Sequence, residues 1–165
     1  MKVWIGRDVF EDLLEQARTL APLETGGILM GWRRGGDRIV MGTIGPGPKA
    51  LHGRHIFLPD HAWQVARINE TFAASGGDLD YLGDWHTHPE SEAELSGLDR
   101  RTLQKLGRKV ANSLMLIAAP VGGWHANAWI QPRGRLFQPA QAERCELAVF
   151  DAPSDWPRLI STPRA

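Results

Sequence analysis

Cysteine is nearly missing from this sequence of 165 residues: Cys145 is the only one. A single thiol excludes an intramolecular disulfide, a Cys-rich zinc finger and a redox pair, and it fits a reducing cytoplasm best. Cys145 also lacks a nucleophile motif with a nearby histidine and reads as structural. No apolar run approaches the roughly 20 residues that span a bilayer, so no membrane association is expected. The opening MKVWIGRDVFEDLL becomes charged too early for a signal peptide. Nor is there an excess of charge of one sign, with 19 basic against 19 acidic residues. No global field therefore draws the chain to nucleic acid or to an anionic membrane. Internal repeats are absent. So are a glycine-rich loop ending in Gly-Lys-Ser/Thr and a His-Glu-x-x-His helix, and the chain is too short for an amidohydrolase-type barrel of about 250 residues.

What is present suits one domain with a real core. KVWI reads as a strand. Asp8 is then expected to cap a helix in which Phe10, Leu13, Leu14, Ala17 and Leu20 recur at helical spacing, stopped by Pro22. GGILMGW and RIVMGTIG predict a hairpin turning at Arg33 to Asp37. GPGPKALHGRH reads as a loop, and HIFLP as a short strand. Asp60 can cap a second helix, with Val65, Ile68 and Phe72 expected on its buried side and Gly76-Gly77 ending it. DYLGDWHTH predicts a strand closed by Pro89, Leu98 to Leu106 a short helix, and SLMLIAA with WHANAWIQ a last hairpin. The order implies an α+β or three-layer α/β/α fold, with a mostly antiparallel central sheet flanked by helices. The domain is expected over residues 1–138. Residues 139–165 are expected as a C-terminal extension with a partly disordered tail from DAPSDWPRLISTPRA. Arg100, Arg101, Lys105, Arg108 and Lys109 form a local basic cluster, either a solvated helix face or a docking patch for an acidic partner.

Chemistry concentrates in GDWHTHPESEAELSGLDR, Gly83 to Arg100. Side chains alternate faces along a strand, so His86 and His88 point the same way and can chelate one ion without distorting the backbone. The next helix can carry Asp99 back over the strand end. Two nitrogens and a carboxylate oxygen make a ligand set typical of zinc with a fourth position left for water. Each residue also has a plainer role: the histidines as partly buried polar groups, Ser96 and Asp99 as a capping box. Cap and ligand can coexist, because the cap would fix the turn that presents the ligand. Zinc hydrolysis also needs a group to take a proton from water. The upstream candidate is Glu24 in PLETGGILMG, directly before two glycines that permit close backbone approach; alone, it reads more readily as a surface carboxylate. Trp85 and Trp32 read either as shields for the site or as core packing.

Glu24-Thr25-Gly26-Gly27-Ile28-Leu29-Met30-Gly31, followed by His86-Thr87-His88-Pro89, six residues, and Ser96-x-x-Asp99, resembles the JAMM (JAB/MPN-plus) zinc metalloprotease family. The likeness spans about residues 3 to 132. It implies a JAMM/cytidine-deaminase-like core in which His86, His88 and Asp99 bind Zn2+. Glu24 is then the general base and later the general acid, while Ser96 steadies the water and the developing oxyanion. The compact chain looks most like the stand-alone bacterial branch, whose members often accompany ubiquitin-like conjugation or sulfur-carrier systems. The resemblance therefore implies an isopeptidase or peptidase cutting after the C-terminal glycine of a ubiquitin-like protein, in deconjugation or precursor processing. The substrate's extended tail would pair near Gly45 to His55. E1-like and E2-like proteins are its possible partners. The alternatives are a peptidase acting on a sulfur-carrier protein–cysteine adduct, and a catalytically silent MPN scaffold, although such scaffolds usually lack the ligands. His52, His55, His61 and His125 fall outside the pattern, and His55 and His61 are assigned structural or surface roles.

Overall fold

A computed structural model describes residues 1–134 and 140–159. Strand β1 (Lys2–Gly6) runs straight into helix α1 (Arg7–Leu20), which buries Val9, Leu13, Leu14 and Ala17. The expected cap at Asp8 is not there. The strand continues to Gly6, so Gly6 holds the cap position and Asp8 falls in the first helical turn. There its carboxylate accepts from the Val9 N–H at 3.0 Å and pairs with Arg158 at 2.8 Å. An acid in the first turn still suits the helix dipole.

Strands β2 (Gly26–Arg34) and β3 (Asp37–Ile44) form the expected hairpin. β4 (Leu51–His52) interrupts what reads as a loop and pairs with β5 (Phe57–Leu58), within the short strand expected at HIFLP, in a small separate hairpin. Helix α2 (His61–Ala74), β6 (Asp80–Thr87), α3 (Gly97–Lys109), β7 (Ser113–Ala119), β8 (His125–Gln131) and β9 (Glu143–Phe150) follow. Asp60 caps α2 as expected, accepting from the Trp63 N–H at 3.3 Å. The buried side of α2 holds to the expectation only at Ile68, which packs against the core. Gln64 and Thr71 are buried, while Val65 and Phe72 are 42% and 47% exposed. The Gln64 amide donates to Gly45 O at 3.0 Å, so the loop under the helix decides which face is covered.

The fold is mixed α/β, and the sheet is mixed and barrel-like rather than clearly mostly antiparallel. Its order is β1-β3-β2-β6-β7-β8-β9, closed into a barrel by pairing of β9 with β1. The β1–β3, β6–β7 and β1–β9 pairs are parallel, and the other four antiparallel. The parallel β6–β7 pair follows from α3, which serves as the crossover between them. The expected boundary after residue 138 lies outside the described residues; β9, beyond it, pairs with β8 and β1 in the same sheet. Beyond β9, Trp156 packs against Trp32 at 5.2 Å, and Leu159 bonds to the backbone of Met41 and Thr43. The expected tail is thus fixed as far as residue 159; residues 160–165 lie outside the described residues.

Helix α1 covers one face of the sheet, and α2 and α3 the other. β7, buried along its whole length, shows the division: Leu114, Leu116 and Ala118 pack on the α1 side, Met115, Ile117 and Ala119 on the α3 side. A register shift in the β2–β6 pairing, where Leu29 faces Gly83 and Met30 faces Tyr81, leaves Leu82 as an extra residue on β6 and brings both Leu82 and Trp85 to the α1 side. His86 then faces the other layer, opposite Gly26 of β2 and Ile117 of β7. No helix among the described residues is long and apolar enough to cross a membrane.

Candidate metal centre

The site lies where β6 ends. Its last residue, Thr87, is tied to the start of β2. The Thr87 N–H donates to Thr25 O at 2.9 Å, and the Thr25 N–H donates to Thr87 Oγ1 at 2.9 Å. The His88 N–H donates to Ala118 O at 2.8 Å, extending the strand geometry past Thr87. The two glycines are explained by contact. A Cβ on Gly26 would lie 2.3 Å from Trp85 O and 2.9 Å from His86 Cβ, and one on Gly27 would lie 2.1 Å from Ile44 O. β2 can approach the histidine strand this closely only without side chains there.

Asp99 arrives from α3. Ser96 Oγ accepts from the Asp99 N–H at 3.2 Å, and Asp99 Oδ2 accepts from the Ser96 N–H at 2.7 Å, a complete capping box. The same carboxylate faces both imidazoles, with Oδ1 3.1 Å from His86 Nε2 and Oδ2 3.4 Å from His88 Nε2. The cap position and the candidate ligand position are therefore one residue in one conformation.

His86 Nε2 and His88 Nε2 are 3.1 Å apart. Ligand atoms about 2.0–2.1 Å from zinc in a tetrahedral shell stand about 3.3 Å from each other. The donor distances therefore match such an ion. So does the chemistry of His88, whose Nδ1 lies 3.2 Å from Glu92 O. In the neutral ring, donation from Nδ1 to that carbonyl leaves the Nε2 lone pair facing the cluster; in the protonated ring Nε2–H donates to Asp99. Burial would raise the Asp99 pKa, but hydrogen bonds from His86 and His88, their charge and the Ser96 bond together hold it far below the usual carboxylate range. For His88, burial lowers the pKa, and the bonds to Asp99 and Glu92 O outweigh it, leaving the ring more basic than usual.

A family model for prokaryotic homologues of the JAB domain matches residues 6–132. The chain belongs to this family. It is 30% identical to a probable metalloprotease, y4qB, of Sinorhizobium fredii over 90% of this chain and 96% of that one. It is 33% identical to a CD-NTase/cGAS isopeptidase of Vibrio cholerae over 66% of this chain and 69% of that one. In fold it is similar to the solution structure of protein DSY2949 from Desulfitobacterium hafniense, with TM-score 0.71 and 19% identity over 92% of this chain and 95% of that one.

Of the five residues singled out by the motif, the structure groups three, and Ser96 is bonded to one of these, Asp99. His86, His88 and Asp99 form one cluster whose ligand atoms all lie within 4.8 Å of one another. Half-buried Glu24 lies close enough to feel all three. Burial raises its pKa and the Asp99 charge adds to this, while the two imidazoles oppose it. Ser96 is exposed at the rim. Neither tryptophan shields the site: Trp85 is buried on the α1 side and Trp32 packs against Trp156. The five basic residues of α3 are exposed and carry no ion pair among the described residues.

Two neighbours had no signal in the sequence. Asp84 precedes His86 by two residues on the same face; burial pushes its carboxyl up to about 6, against the hydrogen bond from the Tyr81 hydroxyl at 3.0 Å. His52, in a stretch without periodicity, has Nδ1 2.9 Å from Glu24 O. Only the recurrence of polar residues on one strand face could have drawn attention to Asp84, and nothing marked His52.

Proposed function

We propose that this chain is a zinc-dependent JAMM-type isopeptidase that hydrolyses the bond after the C-terminal glycine of a ubiquitin-like protein. The observation that carries the reading is the convergence of the His86, His88 and Asp99 donor atoms at 3.1–3.4 Å, beside the half-buried carboxyl of Glu24. Peptidase chemistry is supported by family membership and by the relative named a metalloprotease. An isopeptide-linked substrate, with a CD-NTase-like protein as the modified target, is supported by the relative named a CD-NTase/cGAS isopeptidase.

His86, His88 and Asp99 would hold the zinc, whose Lewis acidity would lower the pKa of a water from 15.7 to about 7. Glu24 takes the proton from the attacking water and later hands it to the departing nitrogen as the carbon–nitrogen bond breaks, a role worth ~10²–10⁴ in rate. Its burial favours the protonated acid it becomes midway. Ser96 Oγ already accepts the Asp99 N–H, which leaves the hydroxyl proton free for the oxyanion that develops on the substrate carbonyl. The β4–β5 hairpin beside Glu24 offers short strand edges with which an extended tail can pair.

The test is Glu24→Gln assayed on a ubiquitin-like fusion and on a carrier–cysteine adduct. The expected result is full zinc content with turnover of the fusion reduced at least about a hundredfold. Unchanged turnover removes Glu24 from the mechanism. Wild-type turnover of the adduct alone moves the substrate to the sulfur-carrier class.

A further inference from the structure

Glu24 stands two residues before β2 begins, so no ladder partner in the main sheet fixes its backbone. Both of its backbone polar groups are instead held by the β4–β5 hairpin. The Glu24 N–H donates to Gly53 O at 2.7 Å, and Glu24 O accepts from His52 Nδ1 at 2.9 Å. Two consecutive hairpin residues thus grip the two ends of one residue. That fixes the backbone dihedrals of Glu24, and with them the direction in which its side chain leaves.

The grip is itself supported. The His52 ring stacks on Phe57 with centroids 5.5 Å apart and planes 29° apart, and the two residues are register partners in the hairpin. Phe57 in turn lies against Gly26, where a Cβ would sit 2.8 Å from Phe57 Cε1. The hairpin tip closes with Gly53 N–H donating to Ile56 O at 2.8 Å. Arg54 and His55 then reach Glu90, just past the ligand His88. The hairpin therefore spans from the Glu24 segment to the ligand loop.

We propose that His52 is a positioning residue for Glu24, holding the carboxylate in line with the cluster through its Nδ1–H bond to the Glu24 carbonyl. The inference rests on the reading of Glu24 as general base. It predicts a kinetic signature that a merely structural histidine would not give. Misplacing a reacting group by about 1 Å costs on the order of a hundredfold in rate, whereas zinc content depends on other residues and a tail paired along the hairpin would use its backbone groups, not the imidazole.

The experiment compares wild type, His52→Ala, His52→Asn, Glu24→Gln and the double variant His52→Ala/Glu24→Gln for kcat and KM on a ubiquitin-like fusion, with zinc measured in each. His52→Ala should lower kcat about 10- to 100-fold, leave KM within about threefold and keep its zinc. His52→Asn, whose side-chain amide can donate to the same carbonyl, should recover most of the loss. In the Glu24→Gln background His52→Ala should add almost nothing, as expected of residues acting as a unit. A second readout is independent of turnover: nitrogen NMR of the zinc-free chain should find His52 protonated at Nδ1. The proposal is overturned by unchanged kcat in His52→Ala, by loss of zinc along with activity, by no rescue in His52→Asn, or by a His52 ring protonated only at Nε2. A fully active Glu24→Gln, or an inactive wild type, sinks the base assignment and this inference with it. An inactive Glu24→Gln beside an unaffected His52→Ala sinks only the positioning role.

Discussion

The proposed donor side of the site and the proposed base side are held by different means. His86 belongs to a strand paired on both flanks, and Asp99 is fixed by reciprocal hydrogen bonds at the start of a 13-residue helix. Glu24 belongs to no strand or helix and is held by a hairpin with two residues per strand. The donor side must keep its geometry through every turnover, and regular structure does that. A base that shuttles a proton needs a definite direction but only local support. Substitutions on the donor side should therefore remove the ion and stability together, and those on the base side should change rate alone.

The largest expected effect is Asp99→Ala, which removes a donor and half of the capping box at once. Zinc should fall below about a tenth of an equivalent, turnover should vanish, and thermal unfolding should show a loss of about 1 kcal/mol. Asp99→Asn keeps an acceptor for the Ser96 N–H, and should lose the zinc while sparing most of the stability. Retention of zinc in both variants would break the account of the donor side. Ser96→Gly comes next. Glycine at the cap position costs only a few tenths of a kcal/mol, so a kcat loss on the order of a hundredfold with zinc retained would assign the hydroxyl to the oxyanion. Equal losses in stability and rate would make Ser96 a cap and nothing more.

Gly26→Ala tests the junction of the two sides. Its new methyl would meet Trp85 O and His86 Cβ, at 2.3 and 2.9 Å, with backbone on one side and a ligand on the other. Denaturant unfolding should register about 1–3 kcal/mol of destabilisation, with weakened zinc binding. Full stability would show that β2 and β6 can separate at little cost. The smallest effect belongs to Arg54→Ala. Its pair with Glu90 is solvent-exposed, so unfolding should change by no more than about 1 kcal/mol. A loss as large as that of His52→Ala would place the hairpin's hold in the clasp rather than in the imidazole.

The donor side was also the more legible in sequence. Spacing along one strand puts His86 and His88 on one face, and Ser96 and Asp99 signal a helix start by local chemistry alone. Glu24 was found through its motif, but the hairpin that holds it was not. Residues 45–55 carry no period, and His52 acts through a contact 28 residues away in sequence. The sheet was harder for the same reason. Closure by β9 depends on β1 accepting a parallel neighbour from the other end of the chain, and no local pattern in ERCELAVF records that. The buried face of α2 was misread because apolar spacing favours Val65 and Phe72, whereas the loop at Gly45 selects Gln64. Asp8 looked like a cap because the sequence does not say that β1 continues to Gly6.

The central claim is most directly tested by X-ray absorption at the zinc edge on the purified chain, beside metal content for wild type and His88→Ala. The account predicts about one zinc per chain in a shell of two imidazole nitrogens and light oxygen donors, lost in His88→Ala. No zinc uptake by wild type, or a shell without imidazole, would contradict it.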